Sequence, residues 1–375
     1  MTDSRTPPGL LATNQPDLFF EDNPVGRMKK QVWDADHAAI DALLAEYGIP
    51  SPIEWARPGS YIQTTIRHQV EQNRRKNDLV LIPVGCTELH GAHTVSAMDT
   101  LFVSAICEGV RRYTEKRDGT GVNLALPPLM YGGHPYHHVG MPGTVMLREH
   151  VVREVMIDTM LGLWNDGFRK QIIVNNHGQL WMLESAIQEF QKRWQLPGVF
   201  RVIDWHRAVR EFFRTQDRGG EYETTFIHAD ESETSLGLLL FPEMVDMEHA
   251  VDTEGRQFLP EGHFDKSVDP FGRPSRWSEG QGHFAIEINS TPEGVVGKPT
   301  AGTAQKGKRP VAAILKYLTL LCDHVLEAFP AGAVPRASEV TLRSDEEMEP
   351  FLREPLSEGW KPVYALPRIG QGTEV

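Results

Sequence analysis

Short apolar runs alternate with longer amphipathic segments along the middle of the chain. The run at 79–84 is apolar throughout and ends at Gly85, which is typical of a strand buried in a parallel sheet. The same reasoning predicts strands at 122–126, 171–174 and 199–203, and helices at 99–112, 147–164 and 180–194. Strands that alternate with helices favour parallel pairing. The fold class predicted is therefore α/β, a three-layer αβα sandwich with a mostly parallel sheet.

The N-terminal part of the chain lacks a sustained period. Residues 33–47 have helix-like spacing, and 67–75 are polar, so they are predicted to be exposed. We interpret residues 1–78 as an N-terminal extension that packs on the core. The main domain is predicted to span 79–330.

The C-terminal part is less regular. Residues 250–282 are rich in Gly, Pro, Asp and Ser and predict a long surface excursion. An edge strand is predicted at 283–288, and a long helix at 303–328 that ends before Pro330. Residues 331–375 have no clear period and are interpreted as a C-terminal tail.

Composition excludes several classes of protein. Of 375 residues, 40% are hydrophobic and 24% charged, which is ordinary for a globular chain. The chain has 38 Lys and Arg against 51 Asp and Glu, a net charge of −13, so it has no basic excess with which to bind nucleic acid. No stretch approaches the roughly 20 apolar residues that span a bilayer, and no membrane partner is predicted.

The cysteines and the N-terminus favour a cytoplasmic location. Cys86, Cys107 and Cys322 lie far apart, and none forms a C-x-x-C pair that would indicate a redox motif or a structural zinc site. The N-terminus begins with an acidic residue and two prolines, where a signal peptide needs basic residues followed by an apolar run.

The first candidate chemistry follows the first buried strand. The segment GCTELHGAH places Glu88, His90 and His93 where ligands bind in such sheets, and Asp99 lies at the start of the next helix. Carboxylate and imidazole groups bind divalent ions, and Asp99 has two oxygens with which to bridge a pair of them. Asp99 is equally well explained as a helix N-cap.

A second polar segment, NNHGQ, follows the strand at 171–174, so His177 is expected at the same edge of the sheet as Glu88 and His90. A third ligand type at that edge favours a metal site. The Asn pair and the glycine are also ordinary turn residues.

The third segment, HADESETS, opens a predicted helix. Acidic residues in a first turn complement the helix dipole, and Ser or Thr there caps the helix, so the pattern has a purely structural explanation. Alternatively, His228 provides a proton carrier and Glu233 a further carboxylate ligand.

Together these segments resemble the creatininase family. Its members carry P-V-G-x-x-E-x-H-G-x-H after a strand, a downstream Asp, an N-G-H loop and H-A-G-x-x-E-T-S. Here these segments appear as PVGCTELHGAH, Asp99, NNHGQ and HADESETS, in the same order. The resemblance implies a creatininase-like sandwich, a small-molecule substrate, and a homo-oligomer, with a hexamer as one form. It also implies one or two divalent ions per chain, zinc, manganese or iron.

Carried over residue by residue, the resemblance implies the metal ligands and the catalytic residues, and the chemistry of further side chains predicts the substrate contacts. The metal ligands would be Glu88, His90, Asp99, His177 and Glu233. The catalytic residues would be His228, as acid and base, and Glu233. The substrate-binding residues are predicted to be His137, His138, Gln179 and Trp181. An ion held there would lower the pKa of a bound water and polarise a substrate carbonyl.

Two departures from creatininase bear on the substrate. Gln179 stands where creatininase has a glutamate, and Thr224 where it has a tryptophan of the creatinine pocket. We therefore predict ring-opening hydrolysis of a small polar cyclic carbonyl compound, a diketo-inositol, in inositol catabolism. The alternatives are an amidohydrolase for a cyclic amide or formamide, and a non-catalytic protein that binds a metal or a sugar.

Overall fold

A computed structural model describes residues 8–127, 130–133, 140–254 and 291–369. Its strands are Leu10–Ala12 (β1), Phe19–Glu21 (β2), Leu79–Val84 (β3), Asn123–Leu124 (β4), Lys170–Asn175 (β5) and Val199–Asp204 (β6). Its helices are Pro24–Asp34 (α1), His37–Glu46 (α2), Arg67–Lys76 (α3), Met98–Asp118 (α4), Glu149–Asn165 (α5), Leu180–Trp194 (α6), Trp205–Ala208 (α7), Glu231–Leu240 (α8), Ala304–Ala328 (α9), Ala337–Val340 (α10) and Asp345–Leu352 (α11).

Four strands form one parallel sheet in the order β4-β3-β5-β6. The central strands β3 and β5 pair over their full length, from Leu79 opposite Lys170 to Val84 opposite Asn175. Every residue of both strands is buried, as expected for strands covered on both faces. Because the two strands end side by side, the segments that follow them leave the sheet at the same edge.

Helices cover both faces of this sheet. Leu79 and Leu81 of β3 face a core that includes α4, α8 and α9, whereas Val80, Ile82 and Val84 face one that includes α5 and α6. The predicted three-layer αβα class is confirmed. None of the helices in the described ranges combines the length and apolar character that a membrane crossing needs.

The N-terminal residues contribute to the first of these cores through Val32 of α1 and Ile40 of α2. The helix-like spacing predicted over 33–47 corresponds to the end of α1 and to α2, with a break between the two helices. Asp36 causes the break, since its side chain accepts a hydrogen bond at 2.8 Å from the amide of Ala39 and so begins a new helix.

The C-terminal tail is structured where the sequence showed no period. Met348 and Phe351 of α11 belong to the core on the α5 and α6 side. Arg74 of α3 is buried and pairs with Glu354 at 2.7 Å, so the expectation that 67–75 is exposed fails at this residue. The helices of the tail are too short to give a detectable period.

The remaining boundaries differ in detail. β4 is shorter than the predicted strand at 122–126, although the amide of Ala125 adds one further bond to Leu81 at 3.0 Å. The predicted strand at 283–288 and most of the excursion at 250–282 lie outside the described residues. The division of the chain after residues 78 and 330 stays a prediction.

Candidate metal centre

The ends of β3 and β5 bring the first two polar segments together. The amide of Asn176 donates to the carbonyl oxygen of Val84 at 3.0 Å, so the loop after β5 begins against the end of β3. Gly85 then lets α4 approach, since a Cβ at this position would lie 2.4 Å from the backbone nitrogen of Thr100. The first turn of α4 is thereby held directly above both strand ends.

Asp99 lies in that first turn, and it is not the cap of its helix. The N-cap of α4 is Ala97, which makes no side-chain capping bond, and Asp99 is only 1% exposed. One oxygen of Asp99 accepts from Asn176 Nδ2 at 2.7 Å, and the other lies 2.9 Å from His177 Nδ1. The carboxylate is therefore directed into the site and does not serve the helix end.

The ionisable side chains form three overlapping groups in which the ligand atoms lie within 4.8 Å of one another. The groups are Cys86, Glu88, Asp99 and His177; Glu88, His90 and His228; and His90, Asp99 and Glu233. Asp99 belongs to the first and the third group. All the metal ligands predicted from the sequence thus lie in one cluster, and nearly all of it is buried.

The third segment approaches the cluster through α8. Its N-cap is Asp230, whose carboxylate accepts from the amides of Ser232 and Glu233 at 2.8 and 3.1 Å. The expected Ser or Thr cap is therefore wrong, because the carboxylate of Asp230 precedes all three hydroxyl residues of the segment. Glu233 follows in the first turn, with its Oε2 at 3.6 Å from His90 Nε2.

His228 lies at the more accessible side of the cluster. Its side chain is 13% exposed, and its Nε2 lies 2.8 Å from the carbonyl oxygen of Leu89. Because only an N–H can donate to a carbonyl, Nε2 carries the proton in the neutral ring. Nδ1 then faces the carboxylates of Glu88 and Glu233 at 3.7 and 4.0 Å.

His90 provides the test of whether an ion fits. Its Nδ1 lies 3.0 Å from the carbonyl oxygen of Glu88, so in the neutral ring Nδ1 donates and Nε2 carries a lone pair. Nε2 is buried without a hydrogen-bond partner in the described residues, at 3.7 Å from Asp99 and 3.6 Å from Glu233. A lone pair that faces two carboxylates fits a cation between them, and a metal-bound histidine commonly donates its other nitrogen in this way.

Burial and charge oppose each other within the cluster. Burial favours the neutral form of Asp99, but the imidazoles of His90 and His177 outweigh it and hold the pKa of Asp99 well below its ordinary value. Burial likewise lowers the pKa of His90, but Asp99 and Glu233 raise it well above the ordinary value. These carboxylates therefore require a positive charge beside them, which a proton supplies or which a divalent ion supplies by displacing that proton.

The predicted substrate-binding residues are placed differently. Gln179 is fully buried, and its amide donates to Gly85 at 3.0 Å and accepts from the amide of Gly133 at 3.2 Å. Both polar atoms of the Gln179 side chain are thus hydrogen-bonded to the protein. These bonds connect the loop after β3 to the start of α6. Trp181 is half-buried in the first turn of α6. His137 and His138 lie outside the described residues.

Sequence reasoning missed two residues of the cluster. Cys86 has its sulfur 2.9 Å from Asp99 Oδ2, and Asn176 holds Asp99 from the other side while accepting a hydrogen bond from the indole of Trp205. Cys86 precedes Glu88 by two residues, but no second cysteine lies near it in the sequence to indicate a site. His93, in contrast, turns away and bonds Thr234 Oγ1 at 2.9 Å.

Comparisons with known proteins match this chain to one family model and to several relatives. Residues 64–322 match a family model described as creatininase, creatinine amidohydrolase. A 3-dehydro-scyllo-inosose hydrolase of Thermotoga maritima is 44% identical over 306 residues, which make up 82% of this chain and 96% of that protein. A creatinine amidohydrolase of Pseudomonas putida is 27% identical over 52% of this chain and 76% of that protein.

The fold is shared with solved structures. "Creatininase Mn" superposes with a TM-score of 0.54 at 20% identity, covering 72% of this chain and 99% of that chain. A putative creatinine amidohydrolase from Bacteroides fragilis gives a TM-score of 0.53 at 22% identity, covering 70% and 95%. At these identities the similarity supports the architecture alone.

Proposed function

This chain belongs to the creatininase family of hydrolases, and we propose that it opens the ring of 3-dehydro-scyllo-inosose, a diketo-inositol, by hydrolysis. The observation that carries the substrate assignment is the 44% identity to a hydrolase of that name, over nearly the whole of that relative. The buried cluster of carboxylates and imidazoles supports the hydrolytic chemistry.

We assign the ligands to two neighbouring positions. Glu88, Asp99 and His177 would hold one ion, and His90, Asp99 and Glu233 the other, with Asp99 shared between them. Zinc, manganese and iron(II) all suit such nitrogen and oxygen donors. A bound ion would supply a nucleophilic water at neutral pH and polarise the carbonyl under attack.

His228 is assigned the proton transfer. Its bond to Leu89 fixes the ring, and its Nδ1 faces the cluster from the accessible side. In a 1,3-dicarbonyl ring, water adds to one carbonyl and the adjacent carbon–carbon bond breaks. The leaving carbon departs as an enolate that the second carbonyl stabilises, and His228 returns a proton to it. The net change is the addition of one water, which yields a linear keto acid.

The loop before α8 supports a substrate other than creatinine. Thr224 occupies the position of a tryptophan in creatininase, and its amide and hydroxyl donate to Glu231 at 2.9 and 3.1 Å. Thr224 therefore secures the start of α8 and offers no aromatic face. The second candidate, a creatininase-type amidohydrolase, is favoured by the more distant Pseudomonas relative.

Removal and return of the ion test the proposed activity. We expect chelation to abolish hydrolysis of 3-dehydro-scyllo-inosose and stoichiometric zinc or manganese to restore it. The hydrolysis rate is measured on protein from which the metal has been removed, and elemental analysis verifies the removal. A hydrolysis rate that survives complete metal removal would contradict the metal-dependent mechanism, and absence of any hydrolysis with metal bound would favour a binding protein.

A further inference from the structure

Cys86 lies at the floor of the proposed centre, fully buried between the end of β3 and Glu88. Its sulfur is 2.9 Å from Asp99 Oδ2 and 3.8 Å from Glu88 Oε2. Together with His177 these residues form the largest of the three groups that could hold an ion within the described residues. Four candidate donors, one of them sulfur, thus surround one position.

The surroundings of Cys86 differ from those of the other two cysteines. Cys107 of α4 and Cys322 of α9 are buried in the apolar core, where a thiol behaves as a small hydrophobic group. Cys86 is instead enclosed by two carboxylates and an imidazole. Its sulfur and His177 Nδ1 both lie 2.9 Å from the same oxygen of Asp99. Groups that converge in this way have the composition of a metal-binding site.

A second observation points to a cation independently of the thiol. Among the described residues, Nε2 of His90 is buried without a hydrogen-bond partner and faces Asp99 and Glu233, in the group that shares Asp99 with Cys86. The demand for positive charge around Asp99 thus does not depend on Cys86. The thiol lies where a cation bound by Asp99 would be within reach.

We propose that the Cys86 thiolate is the fourth protein ligand of the ion held by Glu88, Asp99 and His177, and that it makes this position prefer zinc to manganese. The inference rests on the proposed function, since it requires a metal centre. On binding, the thiol proton leaves to solvent as the metal–sulfur bond forms. Thiolate ligands favour zinc, whereas carboxylate and water ligands suit manganese.

A fourth protein ligand at one position would also give the two ion positions different roles. A tetrahedral zinc with four protein ligands is closed, whereas three ligands leave a position for water. His90, Asp99 and Glu233 supply three ligands at the other position, which lies beside His228. The position with Cys86 would therefore be the permanent, zinc-selective one, and the substrate would meet the other.

X-ray absorption on the zinc-loaded protein tests the bond itself. The variants are Cys86→Ala and Cys86→Ser, and the matched control is Cys107→Ala, which removes a buried thiol in the apolar core. We expect a sulfur shell at about 2.3 Å in the wild type and the control, and only nitrogen and oxygen at about 2.0–2.1 Å in both Cys86 variants. The ratio of zinc to manganese affinity should fall at least about tenfold in those variants.

The outcomes separate this inference from the function on which it rests. Zinc bound by the wild type without a sulfur shell would overturn the role of Cys86 and leave the proposed function intact. A sulfur shell that persists in Cys86→Ala would overturn it equally. Wild-type protein that binds no ion would remove both proposals together. The spectrum of the wild type alone shows whether sulfur is bound to zinc. The inference can therefore be contradicted even if a Cys86 variant fails to fold.

Discussion

Asp99 is the residue on which both proposed ion positions depend, because its two oxygens face different groups. Replacing Asp99 with Asn removes a shared negative charge while keeping the shape of the side chain. Loss of weaker, outer partners of a metal site already costs about 10- to 100-fold in affinity, so we expect at least that loss of metal retention, with activity falling in parallel. Elemental analysis after dialysis and an inosose hydrolysis assay measure the two effects.

The matched control for this change is Asp36→Asn. Asp36 is the cap of α2, and Asn caps a helix nearly as well as Asp. That variant should keep its metal and its rate. If Asp99→Asn behaves like Asp36→Asn, the carboxylate at the start of α4 has no role in metal binding.

His228 and His90 are neighbouring imidazoles, with ring centroids 4.5 Å apart, to which we assign different roles. His228→Ala should retain its ion and lose activity by on the order of 10² to 10⁴, the range of general acid–base catalysis. The exposed His249, which pairs with Asp246, supplies the control variant His249→Ala. Metal lost in proportion to rate would make His228 a ligand instead, as its membership of a group with Glu88 and His90 allows.

At the residue scale the sequence predicted most residues of the buried cluster but missed Cys86 and its neighbour Asn176. Glu88, His90 and His177 were recognisable because each follows a predicted strand within a motif of ligand types. Cys86 and Asn176 were not, because their role depends on which atoms Asp99 reaches after α4 packs over Gly85. Such contacts join residues far apart in the chain, and no periodic pattern encodes them.

Helix α4 carries a second buried carboxylate whose pKa shifts in the opposite direction. Burial raises the pKa of Glu108 to about 7. Glu108 Oε1 accepts from the hydroxyl of Tyr61 at 2.6 Å and from the amide of Glu54 at 2.8 Å, while Arg112 lies 3.9 Å from Oε2. The fold therefore favours the protonated form of Glu108 over its charged form.

A raised carboxyl pKa predicts a specific dependence of stability on pH. Because the folded pKa exceeds the unfolded value of 4.5, the contribution of Glu108 is fully present below about pH 4.5 and is lost as pH rises through about 7. From 4.5 to about 7, at about 1.4 kcal/mol for each pKa unit, the loss is at most about 3.5 kcal/mol.

The variant Glu108→Gln keeps an oxygen for Tyr61 and Glu54 but cannot ionise. Denaturant unfolding at about pH 5 and about pH 8 should show the wild type losing stability relative to the variant at the higher pH. The difference between the two proteins isolates this group from the other carboxylates. Parallel curves for both proteins would show that Glu108 does not titrate in this range.

At the scale of elements, the pattern of apolar residues predicted the strands and helices of the central α/β region. It did not predict most of those in the N-terminal and C-terminal segments. Strand β3 is buried on both faces and appears as an uninterrupted apolar run, and β5 has the apolar run 172–174 at its centre. The tail contributes Met348 and Phe351 from a helix of eight residues, too short for a helical period to be distinguished from chance. The break between α1 and α2 depends on the helix cap that Asp36 forms. The apolar spacing of the sequence continues across Asp36, so the pattern alone does not indicate the break.

The whole molecule combines a fold shared at about 20% identity with a chain 44% identical to one particular hydrolase. The architecture is therefore shared by relatives named for different substrates, and that residues such as Thr224 contribute to the choice among substrates stays a prediction. The homo-oligomeric assembly and the cytoplasmic location implied by the sequence stay predictions. Neither is needed for the chemistry assigned to the cluster of Glu88, Asp99 and His228.

The central claim is that this metal-dependent hydrolase opens a diketo-inositol ring and does not act on creatinine. The most direct measurement incubates one metal-loaded preparation with 3-dehydro-scyllo-inosose and with creatinine separately, and follows the products by mass spectrometry. A site built to bond many hydroxyls should reject a ring that lacks them by a large factor, on the order of 10⁴. We predict a linear keto acid heavier than the inosose by one water, with creatinine unchanged. Creatine produced while the inosose stays intact would contradict the account.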